Sequence, residues 1–209
     1  MKTATFATPF VALATLALVS CDNPADKTAD ATVTEAVEKT EEAAPESAVR
    51  YTFTENSKIG FVGSKVTGSH EGGFEKFTGH FTLVDGKPVG NDHKVEIDMT
   101  STWSDNEKLT GHLKAPDFFD VEKFPTSTFD VTSIAEEGDG YTVTGNFTLH
   151  GVTKSISFPA TVTQTGDVAK IQAEFDINRF DFDIKYPGRT DDLIRKEVVI
   201  KLDLEAKAA

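Results

Sequence analysis

Five histidines, at positions 70, 80, 93, 112 and 150, and a single cysteine, Cys21, are the side chains of this sequence best suited to metal or nucleophilic chemistry. Their spacing argues against both. Structural and catalytic zinc sites gather three or four ligands that close sequence pairs help to bring together, and these histidines form no close pair. A Gly-x-Ser-x-Gly nucleophile elbow is absent, and no glycine-rich phosphate loop follows a strand. Asp117 and Asp120 flank Phe118 and Phe119 without a partner acid, and Asp181 and Asp183 alternate with Phe180 and Phe182 as on a strand exposing one face. The expectation is a binding protein and not an enzyme, with no metal and no required cofactor.

Cys21 has a different chemistry in view. Met1 and Lys2 precede an uncharged run from Thr3 to Val19, which Ser20 and Cys21 close, and that order is the order of a secretory signal. The run is interrupted by Pro9 and falls short of the about 20 apolar residues that span a bilayer. Leu18-Val19-Ser20-Cys21 resembles the bacterial lipobox, in which the cysteine is acylated and becomes the new N-terminus. Residues 1–20 are therefore expected to be a lipoprotein signal peptide, with lipidation at Cys21 and anchorage on the periplasmic side of a bacterial envelope membrane. Asp22, directly after the cysteine, resembles the signal that keeps lipoproteins on the inner membrane in enteric bacteria, and that resemblance favours the inner membrane. Each buried methylene of an acyl chain contributes about 0.8 kcal/mol, so two or three chains on one residue hold firmly.

The formal net charge is −13. Nucleic acid is a poor partner for such a chain, because its binding depends on lysine and arginine displacing phosphate counterions. From Asp22 to Val49 the sequence is acidic, rich in Ala, Thr and Glu, and free of aromatic residues, which predicts a disordered linker over 21–50. Residues 51–209 then form one domain, and apart from Phe6 and Phe10 every phenylalanine lies within it.

Period-two alternation recurs there. "YTVTGNFTL" puts Tyr141, Val143, Phe147 and Leu149 on one face, and Thr142, Thr144, Asn146 and Thr148 on the other. The same rule places Phe77 with Phe81, Val95 with Ile97 and Met99, and Phe175 with Ile177, on apolar faces; Phe129 and Phe158 belong to further strands. About nine strands result, with one short helix within 104–119. A sheet with one apolar face and almost no helix to cover it must close on itself or fold into a sandwich, so the expected fold is all-β, an antiparallel barrel of about eight strands. Sequence periodicity does not distinguish a hollow lumen from one filled by side chains.

"GSKVTGSHEGGF" (63–74), "KLTGHLKAPDFFDVEKFPTSTF" (108–129), "VTGNFTLHGVTKSISFPATV" (143–162) and "FDINRFDFDIKY" (175–186) together resemble the YceI family of polyisoprenoid-binding proteins. The resemblance implies a lipocalin-like barrel around an isoprenoid or quinone-like amphiphile, used for transport, storage or sequestration. Phe77, Phe81, Val95, Ile97, Met99, Phe119, Phe129, Val143, Phe147, Phe158, Phe175 and Ile177 are the expected ligand contacts of the interior. Lys65, His70, His112 and Lys114 are the expected contacts to a polar head group near the mouth. His80 and His150 fall on the polar strand face, and His93 falls at the start of a strand, at the rim or in the lumen. Phe118 and Phe119 are neighbours on a segment read as extended, so only one of them is expected inside. Two other readings stay open: an envelope stress or interaction module with a filled barrel, and an enzyme acting on a lipid head group. The pairing of two copies is left open.

Overall fold

The structure is a computed structural model that describes residues 23–209, so the predicted signal peptide and Cys21 lie outside the described residues. The described residues form ten main strands and one α-helix: β1 (Val49–Phe53), β2 (Lys58–Lys65), β3 (Gly68–Phe74), β4 (Phe77–Val84), β5 (Lys94–Asp98), α1 (Glu107–Lys114), β6 (Thr126–Glu137), β7 (Gly140–Leu149), β8 (Val152–Thr165), β9 (Val168–Asn178) and β10 (Asp192–Ala208). Eight of the strands close a circuit in the order β9, β8, β7, β6, β5, β4, β1, β10 and back to β9, every pair antiparallel. The fold is the expected all-β barrel with one short helix.

Closure depends on β10, whose 17 residues run beside β9 on one edge. On its other edge β10 pairs first with β2 and then, near its end, with β1. The β2–β3 hairpin thereby extends the wall beyond the circuit, and Thr102–Ser104 adds a short strand to β3. Alternation did not predict β3, because "GSHEGGF" offers almost no apolar period. Its glycines answer a packing demand instead: a Cβ on Gly72 would stand 2.4 Å from Cζ of Phe61. The same close approach occurs at Gly145, where a Cβ would stand 2.6 Å from Cζ of Phe129.

Part of the segment expected to be a disordered linker pairs with the barrel. Direct β8–β9 pairing is confined to Thr161–Thr165 against Val168–Gln172. Where it stops, Ala29–Asp30 pairs in parallel with Phe175–Asp176 of β9, and Thr32–Glu35 pairs antiparallel with Lys154–Ser157 of β8. The N-terminal segment thus fills the opening between two strands whose facing edges would otherwise carry unpaired backbone groups. Composition could not reveal this, since the gain is mostly backbone pairing, helped by Ala31 and Val33 against the core. Two side-chain amides of the barrel hold the next part of the segment. Asn146 bonds both N–H and C=O of Val37, and Asn91 accepts from the Glu42 N–H while donating to the Thr40 carbonyl.

Asp176 is buried at this seam and accepts a 3.0 Å bond from the Thr28 hydroxyl. Burial raises the pKa of its carboxyl; the Thr28 bond opposes the shift and the charge of Asp30 adds to it. A carboxyl whose folded pKa lies above its unfolded value contributes stability at low pH that is lost as pH rises through the folded pKa. Asp176→Asn should therefore raise the melting temperature at neutral pH while keeping an acceptor for Thr28. In melts recorded at stepwise lower pH, the gap from the parent should close as Asp176 takes up its proton. A variant less stable than the parent at neutral pH would contradict this electrostatic account of the seam.

Candidate functional site

The barrel interior holds two separate cavities, of about 310 Å³ and 70 Å³, that share no lining residue. On each strand that serves both, the two sets occupy opposite ends: Phe147 and Leu149 against Tyr141 and Val143 on β7, and Ile177 against Ile171 on β9. Between them lies an aromatic layer. Phe158 stacks on Phe175 with centroids 4.0 Å apart, and Phe129 tilts against Phe158 at 5.5 Å. Gly145 gives the Phe129 ring its place, which links the strand glycine to the division of the lumen.

The larger cavity is roofed by α1 and the turn after it. Asn106 caps the helix by accepting from the Leu109 N–H, and Glu107 in the first turn and Lys114 in the last, beside His112, suit the helix dipole. Leu109 and Leu113, four residues apart on one face, both line the cavity. Phe118 and Phe119 both line it too, contrary to the expectation that only one would turn inward. The segment is not extended. The N–H groups of Phe118 and Asp120 both donate to the Ala115 carbonyl, that of Phe119 donates to Leu113, and Asp120 has φ +46°, so the chain curls and presents two adjacent rings. Phe119 meets Phe61 and Phe74 at 6.2 Å each. Phe118 meets Tyr186 at 5.2 Å, and His112 lies edge-on to both.

Among the expected contacts, Lys65, His70, Ile97, Phe119, Phe147 and Ile177 line the larger cavity, while Phe81, Val95, Phe129, Val143 and Phe158 line the smaller one. Phe77, Met99 and Phe175 pack in the core without lining either; Phe77 meets Phe53 edge-on and Met99 is buried beyond the end of β5. His112 and Lys114 also stand outside both linings. His112 Nε2 lies 2.8 Å from Asp117 Oδ2.

His93, left open between rim and lumen, takes the interior position, and three further expectations are corrected: His150, His80 and the strand over residues 179–182. His93 is a buried residue bordering the smaller cavity: its Nδ1 accepts from the Thr82 N–H at 3.1 Å, its Nε2 donates to the Gly90 carbonyl at 3.0 Å, and burial lowers its pKa. Both bonds together define a neutral imidazole. His150 occupies the β7–β8 turn with φ +51°, its ring 4.8 Å from that of Phe124, and not a solvent-facing strand position. His80, also expected in solvent, borders the smaller cavity and has Nε2 3.0 Å from Asp92. Residues 179–182, read as alternating strand, form a 3-10 turn capped by Asn178; Phe182 is fully buried and Phe180 exposed.

Polar groups at the larger cavity are few. Ser127 donates to the Thr148 carbonyl at 2.6 Å. Lys65 is ion-paired with Asp192, which also accepts from the N–H and hydroxyl of Thr67; the Lys65 bond leads in holding the Asp192 carboxyl below its ordinary range. His70 Nδ1 lies 2.8 Å from Asp105, whose pKa is lowered first by the Glu71 N–H and then by His70. Sequence reasoning gave no role to Arg179, which lines this cavity while buried. The signal was available, since it is the one arginine within "FDINRFDFDIKY".

Phe175→Ala is expected to destabilise the barrel by about 3–5 kcal/mol, the usual cost of emptying a buried phenylalanine site. It should also join the two cavities, so linear alcohols that bind should reach a longer optimal length than in the parent. An unchanged optimum would mean that the aromatic layer does not divide the lumen.

A family model for the YceI-like domain matches residues 51–206. A UPF0312 protein of Pseudomonas putida is 32% identical over 167 residues, covering 74% of this chain and 86% of its own. The crystal structure of BcnA from Burkholderia cenocepacia superposes with a TM-score of 0.64 at 26% identity, over 73% of this chain and 97% of that one. A domain from Saccharophagus degradans, described as polyisoprenoid binding, shares the fold with a TM-score of 0.63 at 16% identity, over 77% and 99% of the two chains. Barrel, roof and matched sequence agree: the chain belongs to the YceI-like domain family.

Proposed function

We propose that this protein binds one isoprenoid-type or quinone-like amphiphile with its tail in the larger cavity, and carries, stores or sequesters it at a bacterial envelope membrane. The observation that carries the reading is an open cavity of about 310 Å³ walled almost wholly by hydrocarbon inside a closed barrel. That volume lies at the small end of the about 300–1,000 Å³ range of ligand sites. It favours a hollow barrel over one filled by side chains. The fold shared with a polyisoprenoid binding domain of another bacterium supports the same ligand class. A lining so poor in reactive groups suits binding better than catalysis.

Tail burial supplies affinity without direction. Ten enclosed carbons would contribute on the order of 8 kcal/mol gross, which ordering and association costs reduce toward micromolar affinity. Binding should strengthen steeply with each added isoprene unit until the cavity is full, and then level off, in a titration of isoprenoid alcohols of increasing length. Affinity independent of length would refute a lumen-bound tail.

Anchorage belongs to the same proposal. No helix among the described residues is long and apolar enough to cross a membrane, and acylated Cys21 would tie the barrel to the bilayer through residues 22–28, close to the seam those residues lead into. Cys21→Ser should move the protein from the membrane fraction to the soluble envelope fraction, or leave the precursor unprocessed, without altering the fold of residues 51–206. Unchanged processing and fractionation would refute the anchor.

A further inference from the structure

We propose that Arg179 is the head-group subsite of the larger cavity, selecting an amphiphile whose polar end is an anionic oxygen of a carboxylate or phosphate. The proposal rests on the lumen-binding reading and adds to it the chemistry and orientation of the ligand. Three cationic or potentially cationic side chains line the cavity: Lys65, His70 and Arg179. The first two are already committed to carboxylates, Asp192 and Asp105. Arg179 is not.

Its guanidinium hydrogen-bonds backbone carbonyls, Nε to Arg195 at 3.0 Å, Nη1 to Ile184 at 2.5 Å, and Nη2 to Tyr186 at 2.8 Å and Ile194 at 3.3 Å, and its Cζ lies 4.7 Å from the centroid of the Phe180 ring. A guanidinium has five N–H groups and does not deprotonate in proteins. These contacts use four of the five and leave one on Nη1, and they supply dipoles but no counter-charge. The side chain is 3% exposed and no carboxylate of the described residues pairs with it. Burial alone accounts for the lowering of its pKa, with no anion acting against it. A charge held among apolar walls without a counter-ion is costly, and an anion brought to it interacts more strongly than it would in water.

Position supplies the orientation. Arg179 follows the last residue of β9 and holds carbonyls of residues 184–195; one of these belongs to Ile194, which pairs with partly exposed Lys65 on β2, so both cations lie at the same end of the cavity. A head group at Arg179 therefore sits near the mouth, and the tail runs inward toward Phe147 and Ile97. The ligand enters tail first. Lys65 and His70, paired at the rim, contribute a neutralised entrance and not the selecting charge.

The test compares three compounds with one tail: farnesol, farnesyl monophosphate and farnesyl diphosphate, titrated into the chain from residue 22 onward and into its Arg179→Gln and Arg179→Lys variants, each checked for folding by circular dichroism. The parent should bind the phosphates at least about tenfold more tightly than the alcohol, the range of a charge-assisted bond. Arg179→Gln should lose that preference while binding farnesol within about threefold of the parent, and Arg179→Lys should keep part of it. If Arg179→Gln does not fold, salt decides: a buried contact keeps its preference between about 0.05 and 0.5 M salt, whereas a rim contact loses it. Farnesol binding without any phosphate preference, or a preference that survives in Arg179→Gln or fades with salt, overturns the Arg179 subsite and leaves the lumen reading intact. Failure of all three compounds to bind the parent overturns both.

Discussion

A sheet that is apolar on one face, with one eight-residue α-helix among the described residues, has to cover that face with itself. The rest of the molecule is shaped by how that closure is achieved. The circuit buries the alternating aromatic and β-branched residues, and the long strand β10 joins β9 to both β1 and β2. Because the wall closes at a radius wider than its inward side chains can fill at one end, a cavity remains beneath α1. An eight-strand barrel lies at that boundary between filled and hollow. Here the aromatic layer of Phe129, Phe158 and Phe175 fills the middle, and the ends stay open to different degrees.

Closure is incomplete along β8 and β9, and the chain repairs it with its own N-terminal segment. That links two parts of the sequence with opposite compositions. The acidic stretch before the domain contributes backbone pairing at Ala29–Glu35, and the domain contributes the apolar surface on which Ala31 and Val33 rest. Burial first, and the charge of neighbouring Asp30 after it, raise the pKa of Asp176, so the ionised carboxyl opposes this pairing. The seam is therefore a part of the wall whose stability responds to a change in protonation.

Strands with clear alternation were legible in the sequence, and so was the division of β7 into an apolar and a polar face. What escaped has identifiable causes. The β3 strand is written in glycines because Phe61 occupies the space its side chains would need, and no periodicity records that. Phe118 and Phe119 were separated by an argument valid for extended chain, but backbone bonds to Ala115 and Leu113 curl the segment. His112 and Lys114 share the helix with Leu109 and Leu113 but stand outside the lining, which a motif match cannot resolve into faces. Arg179 stood out as the one arginine of "FDINRFDFDIKY", but its partners are carbonyls of residues 184–195, which leave no trace in residue type, so its place on the cavity could not be read.

The hollow, apolar lumen is the central claim, and native mass spectrometry of the chain purified gently from cells with intact membranes tests it most directly. The account predicts a second species heavier by the mass of one long-chain apolar molecule, released on unfolding and absent from a folded Phe147→Asp variant, in which a charge stands against the cavity wall. Protein found only at its own covalent mass, and unchanged after incubation with isoprenoids, would contradict the account.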